Sequence, residues 1–126
     1  MKFGTISRNG RDAVVVAVES DAVAVLEDIM DDAPRSVMDV IAGGDALLGR
    51  VRAAVAGRKG AAVDSQHWLP PVPRPGKIMC VALNNSANKD RIKSGPKHPA
   101  MFIKASSSLI GHGQPIRLRA DFGRVH

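Results

Sequence analysis

Aromatic residues are scarce in this sequence of 126 residues: they make up 3% of it, and there is no Tyr. Proteins that bind nucleic acid usually combine basic charge with aromatic stacking platforms or a recognition helix. Here no Phe or Trp is interleaved with a basic run, although the formal net charge is +6. We therefore expect no nucleic-acid partner, and a basic nucleic-acid-binding module is the least favoured alternative.

Cysteine and long apolar runs are also lacking. The single cysteine, Cys80, excludes an internal disulfide, and its apolar neighbours indicate a buried small hydrophobe and not a nucleophile. No apolar run approaches the roughly 20 residues of a membrane span. The opening MKFGTISRNG lacks the apolar core of a signal peptide. We expect a soluble, cytoplasmic protein without a membrane partner.

Ala and Val supply most of the apolar residues, which make up 44% of the chain. Small side chains bury little area each, so we expect a modest core that gains from a partner surface. The basic charge is typical of a solvated surface or of a protein that attracts acidic small molecules.

The first third of the chain reads as an antiparallel meander. Residues 2–7, 13–18 and 22–28 have strand character, and Asn9-Gly10 between the first two is a strong hairpin signal. Residues 37–55 then change to helical spacing.

Two short helices are predicted in this second region. Ser36 is a good N-cap, and Asp39 three residues later resembles a capping box. Gly43-Gly44 should end the first helix, and Asp45 should cap the second.

A proline-rich linker, DSQHWLPPVPRPGK at 64–77, separates the front of the chain from the back. KIMCVAL at 77–83 reads as a strand covered on both faces. Further strand candidates are 100–105 and 114–119. We predict a mixed α+β fold, mainly β, with a small domain at 1–69 and a second domain at 70–126.

The residue pattern alone points to no catalytic or metal site. The four histidines have no helical partner at i+3 or i+4, and cysteine pairs are absent. The serine run at 106–108 is not surrounded by G-x-S-x-G, so it reads as a turn.

From residue 70 onward the sequence resembles the fumarylacetoacetate hydrolase family. That family has a P-x-P-x-K-I-x-C-V-G-L-N-Y strand that leads into an active-site lid, an F-x-K-P strand, and an S-L-x-G-x-G-x-P-I hairpin. The front part, with S-x-x-D-x-I-A-x-G beginning at Ser36, resembles the small N-terminal domain of bacterial members. The matched positions of the back part are Pro71, Pro73, Gly76, Lys77, Ile78, Cys80, Val81, Leu83, Asn84, Phe102, Lys104, Ser108, Leu109, Gly111, Gly113, Pro115 and Ile116.

The resemblance implies the opening strands of a fumarylacetoacetase-type β-roll and a divalent-metal-dependent enzyme. Such enzymes act on acidic keto or diketo substrates by C–C bond hydrolysis, isomerisation or decarboxylation. Mg²⁺, or Mn²⁺ or Ca²⁺, would chelate the keto-acid group and stabilise an enolate, as a hard Lewis acid can. A homodimer, or association through unpaired strand edges, is also expected.

The sequence departs from the family pattern in two places. The family's metal-binding E-x-E pair follows the P-I hairpin, and this sequence ends at His126, where that motif would begin. We therefore expect residues 70–126 to be the truncated start of a catalytic domain. This chain alone would hold no metal ligands and would be inactive.

The second departure lies in the lid. Hydrolytic members carry N-Y-x-x-H-A-x-E, in which His and Glu activate a water. Here Asn85 replaces the Tyr, Asn88 the His and Arg91 the Glu. Neither Asn88 nor Arg91 can take a proton near pH 7. A non-catalytic binding or structural relative is therefore an alternative reading.

The remaining candidates concern substrate binding and electrostatics. We predict catalytic roles for Asn84, which ends the strand before the lid, and Lys104 in the F-x-K strand. An acidic small-molecule substrate would be bound by Asn85, Lys89, Arg91 and Ser106.

Overall fold

A computed structural model describes residues 1–84 and 98–123. The predicted hairpin is confirmed: β1 (Phe3–Arg8) pairs antiparallel with β2 (Arg11–Ala17). Asn9 and Gly10 both have positive φ, 50° and 75°. That is the requirement of the two-residue turn whose twist matches the flanking strands.

The third strand is shorter than predicted. β3 (Ala22–Val25) pairs with β2, but residues 26–28 form a 3-10 turn. The turn buries Leu26 completely. It also brings Glu27 Oε1 and Asp28 Oδ1 to 3.1 and 2.7 Å from Arg8 Nη1, an arrangement that alternating strand geometry would not produce.

The predicted linker is partly wrong, because its first residues belong to the sheet. After the short β4 (Ala61–Ala62), β5 (Trp68–Leu69) pairs with Thr5 and Ile6 of β1. The strand order is therefore β4-β3-β2-β1-β5. The Thr5 hydroxyl donates to the Pro71 carbonyl at 2.7 Å, so the chain remains fixed to the sheet into the proline-rich stretch.

The helical region matches the prediction. α1 (Val37–Val55) begins after Ser36, whose Oγ accepts from the Asp39 N–H at 3.1 Å. Gly44, with φ 54° and ψ −151°, breaks it into the two expected halves. Val40 and Val51 are buried against one face of the sheet. They complete a core with Val14, Val16, Ala24 and Leu26.

The other face of the sheet has its own apolar cluster of Ile6, Ala13, Val15 and Val23, against which Trp68 packs. The Trp68 Nε1–H donates to the Val63 carbonyl at 3.0 Å. A Cβ on Gly4 would lie 2.6 Å from the indole ring. Glycine at position 4 therefore makes room for the indole.

Residues 74–109 form a separate compact unit, whereas Met1–Pro73 and the segment from Ile110 onward form the other. In the separate unit, β6 (Ile78–Ala82) pairs antiparallel with β7 (Ala100–Lys104). None of its described residues is buried. The prediction that 77–83 is covered on both faces is therefore wrong for the described chain, and Cys80 is only half-buried.

The predicted strand at 114–119 is also wrong. These residues have no strand structure, and Ile116 and Leu118 are exposed. Pro115 cannot donate to a ladder, and none of the described strands pairs with this segment. A 3-10 turn follows at 120–122.

The fold class is confirmed as mixed α+β and mainly β. The domain boundary at 69/70 stays a prediction. Within residues 1–84 and 98–123, no helix has the length and apolar character needed to cross a membrane.

Replacing Gly4 with Ala should destabilise the sheet, because the new Cβ overlaps the Trp68 ring. We expect the free energy of unfolding to fall by about 1–3 kcal/mol, the usual cost of overpacking. Urea unfolding followed by the fluorescence of Trp68, the single Trp, measures it. The matched control is Gly49→Ala within α1, where an added Cβ would point into open space; it should stabilise by about 0.5–1 kcal/mol. Equal effects at both positions would contradict the packing.

Candidate functional site

Three of the predicted site residues lie in the β6–β7 ribbon or next to it: Asn84, Lys104 and Ser106. Asn85, Asn88, Lys89 and Arg91 lie outside the described residues. The β6–β7 ribbon therefore contains the part of the candidate site whose geometry is known.

The strand register separates the two predicted catalytic residues. Lys104 pairs with Ile78 at one end of the ribbon, whereas Asn84 follows Ala82 at the other end. At about 3.3 Å per residue, Ile78 and Ala82 are roughly 13 Å apart. The structure thus does not bring Asn84 and Lys104 together.

Lys104 lies on the face of the ribbon that also carries Cys80 and Phe102, because directly paired residues share a face. Its side chain is exposed, and it makes no ion pair with any residue in 1–84 or 98–123. An exposed, unpaired ammonium can bind a carboxylate without first breaking another contact.

Ser106 begins the 3-10 turn that follows β7. Its hydroxyl donates to the Pro75 carbonyl at 2.8 Å. This bond ties the end of β7 to the residues that lead into β6. Because a hydroxyl oxygen keeps acceptor capacity when it donates, Ser106 can still accept from a donor group but its proton is engaged.

Leu83 has an unusual backbone conformation directly before Asn84. Its φ is 56°, a value that bulky side chains seldom adopt and that costs about 1–2 kcal/mol. The strand ends where the backbone enters this conformation, and Asn84 is exposed just after it. Sequence reasoning missed this feature, because a leucine gives no signal for positive φ.

The described residues do not fit the divalent metal that the family resemblance implies. Nowhere in 1–84 and 98–123 do three or more His, Cys, Asp or Glu side chains come close enough to hold an ion. A hard cation such as Mg²⁺ needs several oxygen ligands. No step of the chemistry is therefore assigned to a metal on these residues.

Two clefts that the sequence did not predict lie in the unit that contains the five-stranded sheet. One, of about 390 Å³, is lined by Arg8, Arg11, Arg35 and acidic Asp12 and Glu27. Hydrogen bonding and the charge of Asp28, and then of Glu27, raise the pKa of Arg8. The other cleft, of about 430 Å³, contains His67 and His112. These residues are distant in sequence, so only the fold brings them together.

The strain at Leu83 gives a direct prediction. Leu83→Gly should protect the β6 amides from hydrogen exchange more than Leu83→Ala does, because glycine accepts positive φ without a steric penalty. At Val81, in ordinary strand conformation, the order should reverse, since glycine weakens strand interiors. Exchange measured by mass spectrometry on the four variants tests this. The same order at both positions would show that Leu83 is unstrained.

Comparison with known proteins gives sequence relatives. No protein-family model matches the chain. Oxaloacetate tautomerase Fahd2a, mitochondrial, of Rattus norvegicus is 34% identical over 80 residues, which are 62% of this chain and 26% of the relative. Oxaloacetate tautomerase FAHD2A, mitochondrial, of Homo sapiens is 32% identical over the same shares.

A further relative carries the family in its name: Fumarylacetoacetate hydrolase domain-containing protein 2 of Pongo abelii is 32% identical, again over 80 residues, 62% of this chain and 26% of the relative. The chain thus spans about a quarter of the length of the curated relatives it matches. Its similarity to them agrees with the motifs from Pro71 to Ile116. The chain is similar in sequence to members of the fumarylacetoacetate hydrolase family.

Proposed function

We propose that this chain is part of an enzyme that isomerises oxaloacetate or a closely related acidic keto acid. The observation that carries the proposal is its similarity to relatives named as oxaloacetate tautomerases. Hydrolysis and decarboxylation of related acids are the other reactions of the family resemblance, and we place them second.

The residues of the lid favour isomerisation over hydrolysis. Keto–enol tautomerisation moves one proton from the carbon next to the carbonyl to the carbonyl oxygen, and it consumes no water. Hydrolysis instead needs a base that activates water. Asn88 and Arg91 occupy the positions of the family's water-activating pair and cannot serve as that base near pH 7.

Electrostatics suit a dicarboxylate substrate. The chain carries 18 Lys and Arg against 12 Asp and Glu, so its field attracts anions. We assign Lys104 to bind a substrate carboxylate, because its ammonium is exposed and unpaired within the described residues. Ser106, two residues later, would accept from a donor group of the substrate or of the lid.

Asn84 takes a different role in this proposal. It lies at the other end of the ribbon from Lys104, so a four-carbon acid held by Lys104 is not expected to reach it. We assign Asn84 to orient the lid at its hinge, next to the strained Leu83. Asn85, Lys89 and Arg91 on the lid would then contribute further substrate contacts.

We also propose a metal ion, a covering polypeptide and a cellular location for the complete enzyme. A divalent cation, with Mg²⁺ as the first candidate, would stabilise the enolate in the complete enzyme. Further polypeptide, from a homodimer partner or a longer chain, would cover the apolar residues of the ribbon. A cytoplasmic location is proposed from the sequence, whereas the names of the relatives include the word mitochondrial.

Lys104 variants test the assigned substrate contact in the complete gene product. Lys104→Ala should raise KM for oxaloacetate about tenfold or more, since a charge-assisted hydrogen bond contributes about 1.5–3 kcal/mol. Lys104→Arg should retain most of the affinity, and Lys59→Ala, which removes an exposed lysine of the other unit, should change little. The measurement is enol absorbance during tautomerisation.

The same assay separates the proposal from its rivals. Turnover of acylpyruvates with water consumption, but none of oxaloacetate, would favour hydrolysis. If the complete product turns over neither class, the non-catalytic relative is the better description.

Metal binding by the 126-residue chain gives a separate prediction. Because the described residues gather no ligand set, calorimetric titration with Mg²⁺ or Mn²⁺ should give no saturable heat. The complete gene product, titrated in parallel, should bind one of the two ions. Saturable binding by the 126-residue chain would contradict the prediction that it lacks the ligands.

A further inference from the structure

A tight turn at 111–114 lies directly against the edge strand β5. The Gln114 N–H donates to the Gly111 carbonyl at 3.2 Å, and Gly113 has φ 75° at the third position of the turn. Type II turns require positive φ at that position. Gly111 is buried, and a Cβ built on it would overlap the Trp68 carbonyl oxygen. The turn can contact β5 this closely only because residue 111 is glycine.

The side chain of Gln114 is held in one orientation. Its Oε1 accepts from the Gly111 N–H at 2.9 Å. A backbone N–H can only donate, so the oxygen of the amide must point to Gly111 and the nitrogen must point away from it. That nitrogen, Nε2, lies 3.3 Å from His67 Nε2.

This orientation determines the state of His67. The amide nitrogen of Gln114 can only donate, so His67 Nε2 must accept, and an imidazole nitrogen accepts only when it carries no proton. His67 is therefore neutral in this contact, with its proton on Nδ1. Its backbone carbonyl meanwhile accepts from the Ser7 N–H at 2.8 Å, which fixes His67 to β1.

We propose that His67, Gly111 and Gln114 form a pH-sensitive clasp that holds the 111–114 turn on the sheet. When His67 takes up a proton, both ring nitrogens carry hydrogen, and a donor then faces the donor of Gln114. The amide cannot flip to offer its oxygen without leaving the buried Gly111 N–H unpaired. The clasp thus closes at neutral pH and opens as the pH falls.

The other charged groups around His67 come from two elements. Asp64, in the 3-10 turn Val63–Ser65 before β5, and His112, in the 111–114 turn, line the same cleft. The remaining lining residues, Gln66, Trp68, Gly113, Gln114 and Pro115, do not titrate in this range. Asp64 and His112 are thus the titratable groups that share the cleft with His67. Histidine is the side chain whose charge ordinarily changes between pH 5 and 8, so that interval is the one to compare.

Hydrogen exchange of the 126-residue chain tests the proposal. Mass spectrometry at pH 7.5 and 5.5, corrected for intrinsic exchange rates, gives the protection of the segment that contains Gly111. We expect its protection to fall about fivefold at the lower pH, which corresponds to one net hydrogen bond. The amides of β1 and β2 serve as the reference for global folding and should keep their protection.

Three variants make the test specific. Gln114→Glu should reverse the sign of the pH effect, because a carboxylate can accept from Gly111 with one oxygen and from a protonated His67 with the other. His67→Gln should abolish the effect, since glutamine does not titrate. His112→Gln should retain it, because His112 makes no bond in the clasp.

Two results would overturn the proposal. One is equal protection of the turn at both pH values in the unaltered chain. The other is an unchanged pH effect in His67→Gln while the β1 and β2 amides remain protected, which would assign the response to another group.

Discussion

The contact between the Trp68 indole and the bare backbone of Gly4 is the constraint on which the five-stranded unit depends. It fixes β5 to β1 and covers the face of the sheet that α1 does not reach. The backbone of Trp68 also packs against Gly111 of the 111–114 turn. One tryptophan thereby joins segments from both ends of the chain, in a protein whose other aromatic side chains are three Phe.

Unlike the five-stranded unit, the β6–β7 ribbon that carries the candidate site has no buried residue among those described. Met79, Val81, Met101 and Ile103 share its second face and are 44–73% exposed. A two-stranded ribbon is marginally stable by itself in water, so its geometry depends on what covers it. The proposed substrate-binding lysine therefore lies on an element that needs a covering surface to be stable.

Sequence reasoning succeeded where structure is local. The Asn9-Gly10 turn, the Ser36 cap and the break at Gly44 each follow from the conformational preferences of a few adjacent residues. It failed where the answer depends on a distant partner. Trp68 becomes part of a strand only because β1 offers an edge, whereas none of the described strands pairs with 114–119. For the site, motifs pointed to Asn84 and Lys104, but only the register of β6 and β7 places them at opposite ends.

The short edge strand β5 has a consequence for assembly. It is followed by Pro70 and Pro71, whose nitrogens cannot donate to a neighbouring strand. An incoming strand would meet a two-residue edge that ends in residues unable to continue a ladder. This boundary of the sheet is thus protected against pairing with a further strand.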